Sequence, residues 1–200
     1  KDAASQIASC QFALNPANTY AEIEFTPTAD HLNEGTTNFG LQYTSDNHVI
    51  FSSARTTDND SLSDPMEKFL LDLYMAPINA DGSTGEPEKF PFVVNSKEYH
   101  EGSAVLSADG QMIFFTKMDP TNANETKIYG SKKLNGSWLD PYMLDPHVNL
   151  DGFRSLTPAL SPEGDRLYFA SNRPGGEGGL DLWYVALTPD GKTGRANNLG

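Results

Sequence analysis

Short runs in which apolar and polar residues alternate recur along most of this chain, and such runs predict β-strands. The clearest copy covers residues 157–187: an apolar run, a Pro-Glu-Gly turn, the run RLYFAS, a glycine-rich loop and the run LDLWYVAL. Residues 103–131 and 39–78 repeat the same order. A weaker fourth run leads from each copy to the next, so the pattern predicts units of four strands joined by short connections.

These copies are internal repeats, because they align residue by residue and an asparagine opens each unit, at Asn33, Asn95 and Asn149. Repeats of roughly 40–60 residues with several strands are typical of β-propeller blades. The predicted fold is therefore all-β, a partial β-propeller of four-stranded blades over residues 19–200, with blades at about 33–94, 95–148 and 149–200.

The N-terminal residues carry a different pattern. Within residues 1–18, Ala3, Ile7, Cys10 and Leu14 form one apolar stripe at helical spacing. We therefore predict a helix that ends a preceding helical region, with Cys10 packed as a small hydrophobic residue. Residues 20–27 alternate like a half-buried strand and are expected to form the outer strand of a preceding blade.

Three blades are fewer than the roughly four to eight with which propellers close. The sequence is therefore expected to be a fragment of a larger protein, completed by missing blades, by another chain or by a second copy. A single blade buries too little surface to be stable without neighbours, so the two outermost blade faces are expected to need partners.

Charge and composition narrow the function classes. The net charge is −13, which argues against binding to nucleic acid or to anionic membrane surfaces. No apolar run approaches the ~20 residues of a membrane span. The single cysteine excludes an internal disulfide.

No residues form a convincing catalytic or cofactor site, and we predict a protein that is not an enzyme and has no cofactor. The four histidines, at positions 31, 48, 100 and 147, lack metal-ligand spacing. The Gly-rich string 174–179 lacks the Lys-Ser/Thr ending of a phosphate loop. Asp58, Asp60 and Asp64 begin like a calcium loop, but its glycine and final glutamate are missing, so a solvated acidic loop is favoured.

The predicted binding site follows from propeller geometry. Loops that enter the first strand of each blade, and loops between the second and third strands, gather at one mouth of the channel, where rigid scaffolds carry function. Aromatic residues beside arginine are typical of protein-binding hot spots. In an alternative interpretation, Arg55 pairs with Asp72 and Arg173 pairs with Asp181, each inside its own blade. The candidates are Asn38, Phe39, Arg55, Tyr99, His100, Glu101, Phe153, Arg154, Ser155 and Arg173.

The string SPEGDRLYFASNRPGGEGGLDLWYV, residues 161–185, closely resembles the TolB-type, WD-like propeller repeat. The inter-blade strings FVVNSKEYHEGSAVLSADG and HVNLDGFRSLTPALSPEG fit the version found in OmpA-family envelope proteins of the Bacteroidetes. Blade 2 departs from the pattern, because Lys127 stands in place of Asp72 and Asp181, and Lys117-Met118 replaces the Ser-Xaa-Arg of the other units.

This resemblance implies a periplasmic, outer-membrane-associated lipoprotein with protein partners in the cell envelope. It implies a preceding tetratricopeptide-like region and a later peptidoglycan-binding domain outside this chain, the domain order of a type IX secretion component. The expected function is a non-enzymatic protein-binding scaffold. The alternatives are the substrate-gating propeller of a peptidase and a calcium- or glycan-binding propeller.

Overall fold

Three antiparallel sheets follow one another along the chain in a computed structural model that describes residues 2–15, 29–55 and 70–200. Apart from one short hairpin strand that precedes the outermost strand of the second sheet, hydrogen bonds join strands that are consecutive in sequence, so each sheet is a meander of the kind found in propeller blades. The predicted all-β propeller fold with one short N-terminal helix is confirmed. The helix α1 spans Asp2–Leu14, and a short 3₁₀ turn spans Asp30–Asn33.

Each blade has four main strands, of which the outermost is short. Blade 1 contains β1 (Thr37–Tyr43), β2 (His48–Ala54), β3 (Asp72–Pro77) and β4 (Glu88–Lys89). Blade 2 contains β5 (His100–Leu106), β6 (Met112–Asp119), β7 (Asn122–Leu134), a hairpin strand β8 (Ser137–Trp138) and β9 (Tyr142–Met143). Blade 3 contains β10 (Ser155–Leu160), β11 (Arg166–Ser171), β12 (Asp181–Ala186) and β13 (Asn197–Asn198).

The turn between the first two strands is the same in all three blades. Asn47, Gly110 and Gly164 occupy matching positions and have φ angles of 58°, 67° and 71°. Left-handed backbone of this kind favours glycine and asparagine, which explains why the sequence places only these two residue types there.

Two apolar layers hold the blades together. Between blades 1 and 2, a buried cluster includes Ile50, Leu73 and Phe115. Between blades 2 and 3, a larger cluster includes Phe114 and Trp183. Most of these side chains come from the second and third strands, so blade-to-blade packing is the main apolar contact of the fold.

A buried asparagine ties each blade to the segment that opens the next one. Asn149 accepts a hydrogen bond from the Ile128 amide (2.9 Å) and donates to the carbonyls of Ile128 (2.8 Å) and Leu144 (3.0 Å). Asn95 makes the same three bonds, to Leu73 and Phe90. The repeated asparagine is therefore a structural clamp that satisfies buried backbone groups on the third strand of the preceding blade.

The first strand of each blade contains a bulge at a matching residue, where φ is positive: Gly40, Ser103 and Thr157. At the second and third of these, the amide crosses to the preceding blade. Ser103 donates to Ser52 Oγ (2.8 Å), and Thr157 donates to Thr116 Oγ1 (2.9 Å). The two hydroxyls occupy the same register position, so they form a repeated bond between blades.

Removing either hydroxyl should weaken a blade junction. We expect Ser52→Ala to lower the free energy of unfolding by about 1–2 kcal/mol, since it leaves the partly buried Ser103 amide without its partner. Thr116→Val should cost less, about 0.5 kcal/mol, because Thr157 is exposed and water can replace the lost acceptor. Urea unfolding would measure this. Ala170 occupies the matching position in blade 3, and Ala170→Ser is the control, with an expected change near zero. Losses below about 0.3 kcal/mol in both junction variants would contradict this role.

The N-terminal helix differs from the prediction in its packing. Its described side chains are exposed, and Cys10 is among them. The prediction that Cys10 packs as a buried hydrophobic residue is therefore wrong, because within the described part of the chain the apolar stripe has no buried face. The predicted outer strand at 20–27 and the calcium candidates Asp58, Asp60 and Asp64 lie outside the described residues. Among the described helices, none is long and apolar enough to cross a membrane.

Candidate functional site

The candidate residues lie at one end of the blades, which we call the mouth end. It is the end at which β1, β5 and β10 begin and β2, β6 and β11 finish, as the pairs Thr37–Ala54 and Ser155–Ser171 show. Loops of neighbouring blades touch there. His100 Nδ1 accepts a hydrogen bond from the Leu71 amide (3.0 Å), and Lys127 Nζ donates to the Phe153 carbonyl (2.8 Å).

The Arg173 side chain is engaged in contacts within blade 3 and the loop that precedes it. It is buried, and its guanidinium donates to Ser171 Oγ (3.1 Å), to the His147 carbonyl (2.6 Å) and to the Val148 carbonyl. It also lies over the Trp183 ring, 5.4 Å from the centroid. Burial lowers the pKa of Arg173 to about 10.

Arg55 repeats this arrangement in blade 1. It donates to Ser53 Oγ (2.8 Å) and to the carbonyls of His31 (2.9 Å) and Leu32 (2.7 Å), and it lies 5.1 Å from the Tyr74 ring centroid. Both arginines therefore hold the segment that precedes the first strand of their own blade.

The alternative in which these arginines pair with Asp72 and Asp181 is wrong. Asp72 forms an ion pair with Lys89 (2.9 Å), and Asp181 accepts hydrogen bonds from the amides of Glu177 and Gly178. The aspartates start the third strand, whereas the guanidiniums turn toward backbone carbonyls of the segment that precedes the first strand. In blade 2, Lys127 occupies the position of these aspartates, and its ammonium donates hydrogen bonds to two carbonyls of the loop before β10.

Blade 2 replaces the arginine clamp with a buried acid and a lysine. Lys117 Nζ lies 3.8 Å from Glu101 Oε1, and its ammonium lies over the rings of Tyr99 (4.3 Å) and Tyr129 (5.4 Å). Glu101 is fully buried and accepts hydrogen bonds from the Ser96 amide (3.1 Å) and hydroxyl (2.6 Å). Burial raises the pKa of Glu101 to about 7, against the lowering effect of these bonds.

Three other candidates also serve the scaffold. Ser155 is buried and donates to the Val148 carbonyl (2.6 Å). Asn38 accepts from Ser53 Oγ (2.6 Å) and from Arg55. The half-buried His100 has its pKa lowered by burial, so its ring is neutral at pH 7. These side chains shape the mouth end and have little freedom left for a ligand.

The accessible side chains of the mouth end are fewer than the sequence predicts. Phe39 is 41% exposed, and Tyr99, Phe153 and Arg154 are half-buried. Arg154 is tied through its backbone, because its amide donates to Asn172 Oδ1 and its carbonyl accepts from Ser171 Oγ. Its side-chain Nε is buried and has no hydrogen-bond partner among the described residues.

Sequence reasoning missed the importance of Lys117 and Ser96. Lys117 stood out only as a departure from the repeat, and nothing in the spacing shows that a lysine two residues before the arginine position can reach the same ring. Within residues 2–15, 29–55 and 70–200, no group of three or more His, Cys, Asp or Glu side chains is arranged to hold a metal ion.

No protein-family model matches this sequence, and no curated protein matches it. Among solved structures, TolB from Acinetobacter baumannii is similar over 80% of this chain and 32% of its own, with 17% identity and a TM-score of 0.45. A puromycin hydrolase is similar over 85% of this chain and 33% of its own, with 14% identity and a TM-score of 0.46. The periplasmic gluconolactonase of Pseudomonas aeruginosa has 15% identity and a TM-score of 0.33, over 75% and 53%. This chain thus spans about a third of the first two structures.

Proposed function

We propose that this chain is a non-enzymatic protein-binding scaffold of the cell envelope, and that it binds a protein segment at the mouth end. The observation that carries this proposal is Arg154. The other two arginines of the mouth end are fully used by the scaffold, whereas the Arg154 Nε is buried with no partner among the described residues. Within the described residues the half-buried Arg154 side chain makes no hydrogen bond or ion pair, and it follows an aromatic residue, Phe153, in the sequence. Arginine and aromatic side chains together are typical anchors for a protein partner.

The finer identity rests on the sequence resemblance alone. It places the chain in a periplasmic, outer-membrane-associated protein of the Bacteroidetes, similar to PorE, a lipoprotein of the type IX secretion machinery. Attachment to peptidoglycan would then belong to a domain outside this chain. Protein partners in the envelope, and blades or another chain that cover the outer faces of this arc, complete the proposal.

Crosslinking in intact cells tests this function. A photoreactive amino acid at position 99 or 153 of the full-length protein should capture one envelope protein. The control position, Leu134, lies exposed on the β7–β8 hairpin and should not capture that protein. Equal capture from all three positions, or links confined to the chain itself, would refute a binding site at the mouth end.

Arg154→Ala should reduce capture of that partner at least tenfold, because loss of a central arginine anchor costs about 2 kcal/mol or more of binding free energy. Arg195→Ala is the matched control, since Arg195 is exposed at the other side of blade 3 and should leave capture unchanged. Unfolding curves of both variants check that the fold is intact. Equal capture by the Arg154→Ala variant would remove this residue from the site.

A further inference from the structure

All three blades place a cation over an aromatic ring of the third strand at the mouth end. In blades 1 and 3 the cation is the guanidinium of Arg55 or Arg173. In blade 2 it is the ammonium of Lys117, 5.4 Å from the Tyr129 ring centroid. A cation over this ring is therefore common to all three blades, although Lys117 lies two positions earlier in its blade than Arg55 and Arg173 do in theirs.

The tie to the preceding loop differs in blade 2. Arg55 and Arg173 bind the backbone carbonyls of that loop directly. Lys117 lacks the planar guanidinium, with its several donors, that binds these carbonyls. In blade 2 Glu101 makes the tie instead, because it accepts hydrogen bonds from the amide and hydroxyl of Ser96. Of these three ties, the one in blade 2 passes through an acid rather than through a guanidinium that stays charged.

We infer that the Glu101–Lys117 pair is a pH-sensitive latch that holds residues 96–99, and with them the Tyr99 ring, closed at the mouth end. The carboxyl is fully buried and the Lys117 side chain is only 19% exposed, so neither group reaches water freely in the closed arrangement. Tyr99 stacks on the Lys117 ammonium, so release of the latch also frees this ring. The link to partner binding rests on the proposed function; the latch itself does not.

Burial of the Glu101 carboxyl sets the direction of the switch, and charged and titratable neighbours modify it. Asp72 of β3 repels a negative charge on Glu101, and Lys117 of β6 favours it. Asp72 is itself paired with Lys89 of β4. His100 and Tyr129 stay neutral near pH 7, because burial lowers the pKa of the former and raises that of the latter. Burial outweighs the attraction to Lys117, so the closed latch favours the neutral acid.

The sign of the effect follows from linkage. A carboxyl whose pKa is higher in the closed state stabilises that state fully below its ordinary value of 4.5, and this stabilisation is lost as the pH rises through about 7. The latch is therefore tightest in acid and loosest above neutral pH. A pKa difference from 4.5 to about 7 corresponds to an opening equilibrium that increases by up to ~300-fold over this range.

Hydrogen exchange of the Ser96 amide measures the latch directly, because this amide donates to Glu101. After correction for intrinsic exchange, its protection should fall between pH 4.5 and pH 7 by up to ~300-fold and then level off. Core amides of β6, such as that of Phe115, report any global change and serve as the internal reference. The experiment needs no partner, so its failure and the failure of the proposed function are distinguishable.

Four variants make the test specific. Glu101→Gln should remove the pH dependence, and Glu98→Gln, an exposed acid on the same loop, should retain it. Lys117→Met should enlarge the fall in protection and move it to higher pH, whereas Asp72→Asn should reduce it, because these residues act on the Glu101 pKa in opposite directions. Protection that varies with pH to the same extent in the Glu101→Gln variant, or that does not vary in the unmodified protein, would overturn the latch.

Discussion

Replacing Arg173 with methionine should lower the free energy of unfolding by about 3 kcal/mol, because it removes several charged hydrogen bonds from a buried loop. The guanidinium holds the carbonyls of His147 and Val148 and the hydroxyls of Ser171 and Ser155. Methionine fills a similar space beside Trp183 but donates nothing to these four oxygens. The relief of the desolvation cost, which is visible in the lowered pKa of Arg173, offsets only part of this loss.

Two further variants test the cause. Arg173→Lys keeps the charge but has no planar fork to reach both carbonyls, so about half of the loss should remain. Arg195→Met changes an exposed arginine of the same blade and should stay within about 0.5 kcal/mol of the unmodified protein. Urea unfolding of the three variants and the unmodified protein is the measurement. A methionine variant as stable as the Arg195→Met control would show that the clamp carries no net stability.

The repeat made the fold predictable from the sequence. Alternating runs gave the strands, and the turn residues Asn47, Gly110 and Gly164 fixed where the first two strands of each blade meet. Both signals are local, because they depend on strand periodicity and on left-handed backbone. The bulges were harder to predict, because only blade 1 has a glycine, Gly40, at the bulge position. Ser103 and Thr157 adopt the same positive-φ backbone at the matching positions without being glycine.

The sequence predicted which end of the blades the candidate residues share, but not which of their side chains are buried. Register places all ten residues at the mouth end, yet Arg173, Glu101 and Ser155 are buried there. Whether an arginine faces a ligand or a backbone carbonyl depends on the path of a loop many residues away in sequence. His147 and Val148 precede Arg173 by 26 and 25 residues, and neither residue type signals that its carbonyl is an acceptor.

The same reasoning explains why Cys10 was predicted to be buried. A stripe at helical spacing shows that a helix can bury one face, but not that a neighbour is present to cover it. Within the described residues, no other element packs against the apolar stripe of the helix, and its side chains are exposed. Periodicity therefore predicts an element and the orientation of its faces, whereas burial requires knowledge of a second element.

Replacing Asn149 with aspartate should have a second large effect, a loss of about 3 kcal/mol at pH 7, because a buried carboxylate then faces two carbonyl oxygens. The amide of Asn149 donates to the carbonyls of Ile128 and Leu144, and an ionised carboxylate can donate to neither. Only the bond accepted from the Ile128 amide survives the change. Asn95→Asp should behave alike at the junction of blades 1 and 2, since Asn95 makes the same set of bonds.

The effect of Asn149→Asp should also depend on pH, in a direction that identifies its cause. Burial next to carbonyl oxygens raises the pKa of the new carboxyl, and a protonated carboxyl can again donate to one of them. The deficit relative to the unmodified protein should therefore shrink as the pH falls from 7 to 4. Asn124→Asp adds the same charge at an exposed position near the start of β7 and should show neither the loss nor its recovery in acid. A deficit in Asn149→Asp that stays constant with pH would mean that packing, rather than the lost donors and the buried charge, makes this asparagine necessary.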